Sequence, residues 1–178
     1  MQFVMFDVES NGLVGEGFAV GAVVAETKSC VILEKFEVRG PCEEPVQWVK
    51  ENVLPQLDAG GLNLTHYSLP SLRSAFWDWL QEKKSEGLPI WGDFGVPVEA
   101  NFLLACVADN LEKREWHLPY PLHELGTLML TAGIDPDINR EEFVAEMIEG
   151  RQVRKHHPTW DSEVAAYGVM KCFNMLRG

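Results

Sequence analysis

The chain begins with an apolar run of strand length that ends in two closely spaced carboxylates. Residues 1–13 are MQFVMFDVESNGL, so Asp7 and Glu9 close the apolar run and a turn signal follows at once. Residues i and i+2 of a strand point to the same face, and the two acids should therefore lie side by side. Such a pair repels unless it is protonated or bridged by a cation, and its oxygen ligands suit Mg²⁺ or Mn²⁺. Taken alone, Asp-x-Glu is more often a polar strand end on the surface, so the metal hypothesis depends on matching acids elsewhere.

Two further strands are predicted directly after this opening segment. Residues 17–25 are an apolar run of strand length, residues 30–38 have the length and the β-branched and aromatic content of a third strand, and the connection at 26–29 is short enough for a hairpin. The chain therefore starts with three strands that we expect to be antiparallel. The first is apolar enough to be buried on both faces, which predicts a central position in the sheet.

Helices and short strands alternate over the rest of the chain. Apolar spacing and proline positions predict helices at 45–54, 71–84, from 97 onward, at 125–130, 139–148 and 161–176, short strands within 87–94 and 116–124, and a loop at 58–70. Without repeats or linkers, residues 1–178 are predicted to form a single domain. The element order indicates an α/β fold with a mixed sheet, in which ligands bind at the carboxyl ends of strands. Asp7 and Glu9 would lie at such an end.

Composition narrows the possible functions. The chain has 27 acidic and 15 basic residues and a net charge of −12, which disfavours tracking along a duplex, because such binding neutralises many phosphates with Lys and Arg. An enzyme that holds one strand end through metal ions fits this charge, since the ions add positive charge locally.

We expect a cytoplasmic protein without membrane or zinc binding. No apolar stretch reaches the roughly 20 residues of a membrane span, no basic residue precedes the first apolar run, and the four cysteines lack Cys-x-x-Cys spacing.

Two more acids are predicted to face the sheet from the first turns of helices. Glu99 follows Pro97 by two residues, and apolar residues stand at i+3, i+4 and i+7 from it. Asp161 is followed by small or apolar residues at i+3, i+4, i+7 and i+11. An acid on an apolar face needs a partner, which a metal would provide. For Glu99 the helix dipole, which favours acids in first turns, explains the position equally well.

His156 stands five residues before Asp161. A histidine just outside a carboxylate–metal cluster can act as a general base toward water. The alternative is a transition-metal site formed by His156 and His157. No cysteine or third histidine stands at a suitable spacing for it.

The ordered motifs resemble the DEDDh 3′–5′ exonuclease superfamily, a group of ribonuclease H-like fold that includes the proofreading subunit of bacterial DNA polymerase III, oligoribonuclease and RNase T. The first motif of that family is Asp-x-Glu at the end of the first strand, usually continuing to Gly-Leu, and the matching residues here are Asp7, Glu9, Gly12 and Leu13. The third motif is His-x4-Asp leading into a helix, and it matches His156 and Asp161. Because the two motifs lie near opposite ends, the resemblance covers nearly the whole chain.

The second motif of this chain departs from the family pattern. The family usually has Asp followed three residues later by an aromatic or large apolar residue, after a strand. The best match is the segment 99–102, in which Glu99 replaces the Asp and Phe102 is the aromatic residue. Asp93, at the end of the predicted preceding strand, is the rival, and the identity of the fourth carboxylate stays open at this point.

The resemblance implies a ribonuclease H-like mixed sheet, three antiparallel strands and then parallel strands, flanked by helices. It also implies two divalent cations, Mg²⁺ or Mn²⁺, held by Asp7, Glu9 and Asp161, with Glu99 holding the second through a water. His156 would deprotonate the nucleophilic water, and a nucleoside 5′-monophosphate would leave from a 3′ end. Gly12 would offer a backbone contact to the terminal nucleotide, and Leu13 would wedge against its base.

The expected partner is the 3′ end of a single-stranded nucleic acid, with short RNA favoured over DNA, and a homodimer is an expectation from small members of the group. Trp91, Phe94 and Trp160 are candidates for base stacking, although core packing is favoured for each. Two alternatives are a ribonuclease H-like binding module that has lost turnover and a metal-dependent phosphohydrolase acting on nucleotides. The irregular second motif favours the binding module, while the acidic composition suits both alternatives.

Overall fold

A five-stranded mixed sheet forms the centre of the computed structural model, which describes residues 1–177. The strands, in chain order, are β1 (Gln2–Ser10), β2 (Gly17–Glu26), β3 (Val31–Arg39), β4 (Ile90–Gly92) and β5 (Leu122–Glu124). Their spatial order is β3-β2-β1-β4-β5. The pairs β1–β2 and β2–β3 are antiparallel, whereas β1–β4 and β4–β5 are parallel. The predicted mixed sheet with β1 at its centre is therefore confirmed.

Eight α-helices flank this sheet within the described residues. They are α1 (Gln47–Asn52), α2 (Leu54–Ala59), α3 (Leu69–Ser85), α4 (Val98–Ala108), α5 (Leu111–Arg114), α6 (Leu125–Thr131), α7 (Arg140–Phe143) and α8 (Pro158–Arg177). Short 3-10 turns follow α5 and α7. Over residues 1–177 none of the helices combines the length and the apolar content needed to cross a membrane.

Two predicted helices and one predicted loop differ from the structure. The helix expected at 45–54 is divided into α1 and α2, because Pro55 lacks an amide donor and is favoured in the first turn of a new helix. The loop expected at 58–70 is shortened at both ends by α2 and α3. The helix expected at 139–148 is wrong beyond Phe143. There Val144 leaves helical geometry and is wholly buried, so its packing and the low helix propensity of valine both favour the end of the helix.

β1 is central because its side chains are apolar on both faces. Phe3 and Met5 pack into the cluster that includes α8, while Val4 and Phe6 pack into the cluster that includes α3 and α4. All four side chains are wholly buried. The strand alternation continues past them, so Asp7 and Glu9 follow on the face that α8 covers.

Candidate metal and active site

The end of β1 and the first turn of α8 bring three carboxylates together. Asp7 and Glu9 come from the strand and Asp161 from the helix, and one oxygen of each lies within 4.8 Å of the others. Glu9 is buried, and the other two acids are partly buried. The predicted Asp7–Glu9 pair and the predicted inward acid of α8 therefore lie in one cluster.

Gly21 of β2 explains how α8 comes so close to the sheet. It lies opposite Asp7 in the β1–β2 pairing, and a Cβ atom there would overlap the backbone of Pro158 and Thr159. The Ser162 hydroxyl donates to the Gly21 carbonyl at 2.9 Å. This contact places the first turn of α8, and with it Asp161, directly over the strand end.

The cluster is electrostatically strained without a cation. Burial, followed by repulsion from Asp161 and Glu9, raises the pKa of Asp7 well above its usual range. Burial and the nearby Glu99 raise the pKa of Glu9 to about 7, and burial followed by Glu9 raises the pKa of Asp161. None of the ion pairs within residues 1–177 involves these four acids. An oxygen-only donor set of uncompensated carboxylates fits a hard divalent ion, which would replace the protons.

Glu99 and Asp93 both line the same cleft, but they differ in what neutralises them. Glu99 lies in the first turn of α4 and is 6% exposed, and burial is the largest cause of its raised pKa. Arg140 donates from Nε to both oxygens of Asp93, at 2.9 and 3.0 Å. Burial still raises the pKa of Asp93, and Arg140 opposes that shift. Glu99 is outside the three-acid cluster, yet close enough to raise the pKa of Glu9.

His156 lines the cleft from the loop that precedes α8, where it has a φ of 58°. Its ring meets Trp48 edge to face, with 5.1 Å between the centroids. Burial first, and then Lys155, lower its pKa, so the imidazole is neutral near pH 7, the form that a general base requires. His157 is 3% exposed, and its ring lies close to Gly60. Within residues 1–177 the candidate metal group contains neither histidine, so the alternative of a shared transition-metal site finds no support.

The cleft around these groups has a volume of about 1000 Å³. Its rim carries exposed apolar residues, of which Leu13 is 72%, Phe94 62% and Trp48 54% exposed. Gly12 also lines it, with a φ of 78° that other residues rarely adopt.

Of the three aromatic residues considered for stacking, only Phe94 reaches the cleft. Trp91 is 6% and Trp160 4% exposed, and both belong to the core. Trp48, Arg140 and Glu141 line the cleft and were missed by the sequence reasoning. The exposure of Trp48 has no sequence signal. Glu141 had a sequence signal, because it is an acidic residue in the first turn of a predicted helix.

A scan against protein-family models gave no match, and neither did a comparison with curated protein sequences. Solved structures do match. The nuclease domain of 3′hExo, a DEDDh family member bound to rAMP, superposes with a TM-score of 0.70, covering 97% of this chain and 92% of that one at 13% identity. The fold is that of the DEDDh exonucleases.

Two further structures have the same fold over most of this chain. One shows recognition of a histone mRNA stem-loop by a 3′-exonuclease, with a TM-score of 0.62 at 13% identity, covering 97% of this chain and 81% of that one. The other is E. coli exonuclease I with single-stranded DNA, with a TM-score of 0.63 at 13% identity. It covers 99% of this chain but only 40% of that protein. The resemblance suggested by the ordered motifs is thus confirmed for the fold.

Proposed function

We propose that this protein is a divalent-metal-dependent 3′–5′ exonuclease that releases nucleoside 5′-monophosphates from single-stranded nucleic acid, with RNA favoured over DNA. The observation that carries the proposal is the convergence of Asp7, Glu9 and Asp161 within 4.8 Å, in one cleft with His156. The matching structures, described with rAMP, single-stranded DNA and a histone mRNA stem-loop, support this substrate class.

The proposed roles follow from position and charge. Asp7, Glu9 and Asp161 would hold two Mg²⁺ or Mn²⁺ ions, with Glu99 contributing through a water. Ions bound there would supply positive charge opposite the negative charge that develops on the scissile phosphate. His156 accepts a proton from the attacking water, whose oxygen bonds to phosphorus as the bond to the 3′ oxygen breaks.

The rim of the cleft is suited to the terminal nucleotide. Gly12 has no side chain, so its backbone can approach a sugar or a base closely. Leu13 is largely exposed beside it. Its side chain would wedge against the terminal base. Trp48 and Phe94 are exposed aromatic rings of the same cleft, and base stacking on such rings tolerates any sequence.

The test is hydrolysis of 5′-labelled single-stranded RNA, and of DNA of the same sequence, with Mn²⁺ or Mg²⁺. We expect products shortened from the 3′ end by one nucleotide at a time, and faster turnover of RNA. EDTA and Asp7→Ala should each abolish the activity, because both remove the metal. Asp78→Ala, an exposed acid of α3, is the matched control and should cleave like the wild type. Hydrolysis that survives both EDTA and Asp7→Ala would contradict the metal assignment.

The two alternative functions give different results in one panel of substrates. A binding module that has lost turnover, which Glu99 in place of Asp favours, would bind Mn²⁺ and cleave none of the oligomers, dinucleotides or nucleotides. A phosphohydrolase would act on free nucleotides and leave oligomers intact. A cytoplasmic location and a homodimer stay predictions from the sequence.

A further inference from the structure

Helix α7 is a short element that is tied firmly to the core. Phe143 is 6% exposed and Val144 is wholly buried, both in the cluster that includes α8. Lys171 of α8 donates from Nζ to the Phe143 carbonyl at 2.6 Å. At the other end, Asn139 caps the helix by accepting from the Glu142 amide at 3.0 Å. The first two residues of α7 therefore extend from a fixed backbone.

Arg140, the first of these two residues, holds the loop between β4 and α4. Its Nε donates to both oxygens of Asp93, and its Nη1 donates to the carbonyls of Pro136 and Ile138 at 2.6 and 2.8 Å. Asp93 directly follows β4, and the loop it begins leads to Glu99 in the first turn of α4. Arg140 therefore links the middle-motif segment to α7.

Glu141, the second residue, holds the segment before α8. Its Oε1 accepts from Trp160 Nε1 at 3.0 Å, and its Oε2 lies 3.8 Å from Lys155 Nζ. Trp160 immediately precedes Asp161, and Lys155 immediately precedes His156. One carboxylate thus contacts the chain neighbours of the proposed third acid and of the proposed base.

We propose that Arg140 and Glu141, which we term the α7 bracket, are positioning residues of the metal site. The bracket fixes the separation between the loop that leads to Glu99 and the segment that carries His156 and Asp161. The inference rests on the proposed function, because the site that is positioned is the proposed metal site. Neither bracket residue is assigned as a ligand, because a guanidinium cation cannot bind a metal ion and Glu141 lies outside the three-acid group of residues 1–177.

A purely structural role for the bracket predicts a different outcome. The Arg140 and Asp93 side chains are only 13% and 16% exposed, so a contact that served stability alone would lower the melting temperature on removal without changing metal affinity. Partners that orient ligands behave differently, because their removal typically lowers metal affinity or activity about 10- to 100-fold. Mn²⁺ affinity of the full chain is therefore the measurement that separates the two roles.

The experiment compares Glu141→Ala, Glu141→Gln and the control Glu142→Ala by calorimetric titration with Mn²⁺ and by thermal unfolding. Glu142 is the exposed neighbour on the same helix. We expect Glu141→Ala to weaken Mn²⁺ binding about 10-fold or more. Glu141→Gln keeps an oxygen that accepts from Trp160, so its affinity should stay within about threefold of the wild type. Glu142→Ala should bind like the wild type. Equal Mn²⁺ affinities of Glu141→Ala and Glu142→Ala would contradict the positioning role of Glu141.

Arg140→Lys provides an independent test, because it keeps the positive charge of the cleft but lacks the Nε that donates to both oxygens of Asp93. We expect weaker Mn²⁺ binding here too. Amide hydrogen exchange gives a second readout in the metal-free protein. The His157 amide donates to the Arg154 carbonyl, and we expect its hydrogen to exchange faster in Glu141→Ala than in Glu142→Ala. The proposal would be refuted if the Arg140 and Glu141 variants both bound Mn²⁺ like the wild type and the His157 amide hydrogen exchanged at the wild-type rate.

Failure of the bracket and failure of the proposed function are distinguishable. Mn²⁺ affinity is measured without nucleic acid, so it tests whether Arg140 and Glu141 position the metal site even if the wild type cleaves no substrate. In a protein that does cleave RNA, loss of the bracket should lower kcat more than it raises KM, since neither residue is assigned to the substrate. Unchanged Mn²⁺ affinity together with wild-type hydrolysis would overturn the bracket and leave the exonuclease proposal standing.

Discussion

Glu99 and Asp93 show how the role of a buried acid depends on its partner. Asp93 has a cation at 2.9 Å, whereas Glu99 belongs to none of the ion pairs within residues 1–177. A carboxylate already paired with an arginine is less available to a metal. We therefore propose Glu99 rather than Asp93 as the fourth acid.

This preference gives a direct comparison of two isosteric variants. Glu99→Gln should lower kcat about 100-fold, because the fourth acid loses its charge. Asp93→Asn should lower it less than about 10-fold, because asparagine still offers an oxygen to Arg140. Single-turnover hydrolysis of RNA at saturating Mn²⁺ measures both. The reverse order of effects would transfer the role to Asp93.

A second prediction at this scale concerns pH and the charge of Asp7. In the metal-free protein the pKa values of Asp7, Glu9 and Asp161 are raised above their usual values, to about 7 for Glu9. Between roughly pH 4 and the raised values the folded state binds more protons than the unfolded state, so the stability falls as the pH rises through this window.

Asp7→Asn removes one of the repelling charges. At pH 8, without metal, it should therefore melt at a higher temperature than the wild type, by at least the 2–4 °C that about 1 kcal/mol produces in a domain of this size. The wild type should gain stability on adding Mn²⁺, and the variant should gain much less. Differential scanning calorimetry at pH 5 and 8 measures this, with Asp78→Asn as the control. A lower melting temperature for Asp7→Asn at pH 8 would contradict the repulsion.

The residues that could be predicted share one property, which is that their geometry is encoded by short spacings. The i, i+2 spacing of Asp7 and Glu9 and the helical stripe behind Asp161 specify a face, so their convergence follows from the sequence. Arg140 and Glu141 act through bonds to residues 47 and 19 positions away. No local pattern encodes those bonds, because they depend on how α7 packs.

At the scale of elements, the site depends on how closely α8 approaches β2. A glycine inside an apolar strand often marks such an approach, and Gly21 is an instance that the sequence reasoning did not use. The opening strands β1 and β2 were predicted because continuous apolar runs specify them, and β3 because its composition is that of a strand and a short connection joins it to β2. The division of α1 from α2 and the early end of α7 were not, since a proline position and the burial of Val144 decided them.

Gly21→Ala tests this approach. The added methyl group would overlap the backbone of Pro158 and Thr159, so α8 must move away from the strand. We expect a loss of stability of about 1–3 kcal/mol, typical of overpacking, and a weaker affinity for Mn²⁺ as Asp161 moves with the helix. Ser162→Ala is the comparison, because it removes the hydrogen bond to Gly21 at a cost of about 1 kcal/mol without forcing the helix outward. Wild-type Mn²⁺ affinity in Gly21→Ala would show that the approach does not set the site.

At the scale of the whole molecule, the order of the motifs along the chain identified the fold even though sequence identity to the matching structures is only 13%. A metal site of this kind needs a strand end and two helix starts in a given chain order, and that order restricts the topology. Substrate choice is less restricted, because it depends on surface charge and on the cleft rim. The net charge of −12 is the strongest constraint there.

This charge predicts weak dependence of binding on salt and on substrate length. Lys155 and Arg140 are the basic residues that line the cleft among residues 1–177, and each has an acidic partner. Because these acids already occupy both basic residues, we assign neither to the substrate and expect no more than one or two phosphates to be neutralised in the cleft. The logarithm of the association constant should then fall with the logarithm of salt concentration with a slope of about −0.7 to −1.4. KM measured from 50 to 200 mM KCl at fixed Mn²⁺ gives this slope.

The same reasoning extends to length, because phosphates beyond the cleft should find few cations to bind. A trinucleotide and a 20-mer should then have kcat/KM values within about threefold of each other, since additional phosphate contacts are the main source of added affinity. A poly(A) series with one labelled end, at constant ionic strength, measures this. Affinity that rises steadily with length, or a slope steeper than about −3, would require a basic track outside the cleft and would contradict recognition by the 3′ end alone.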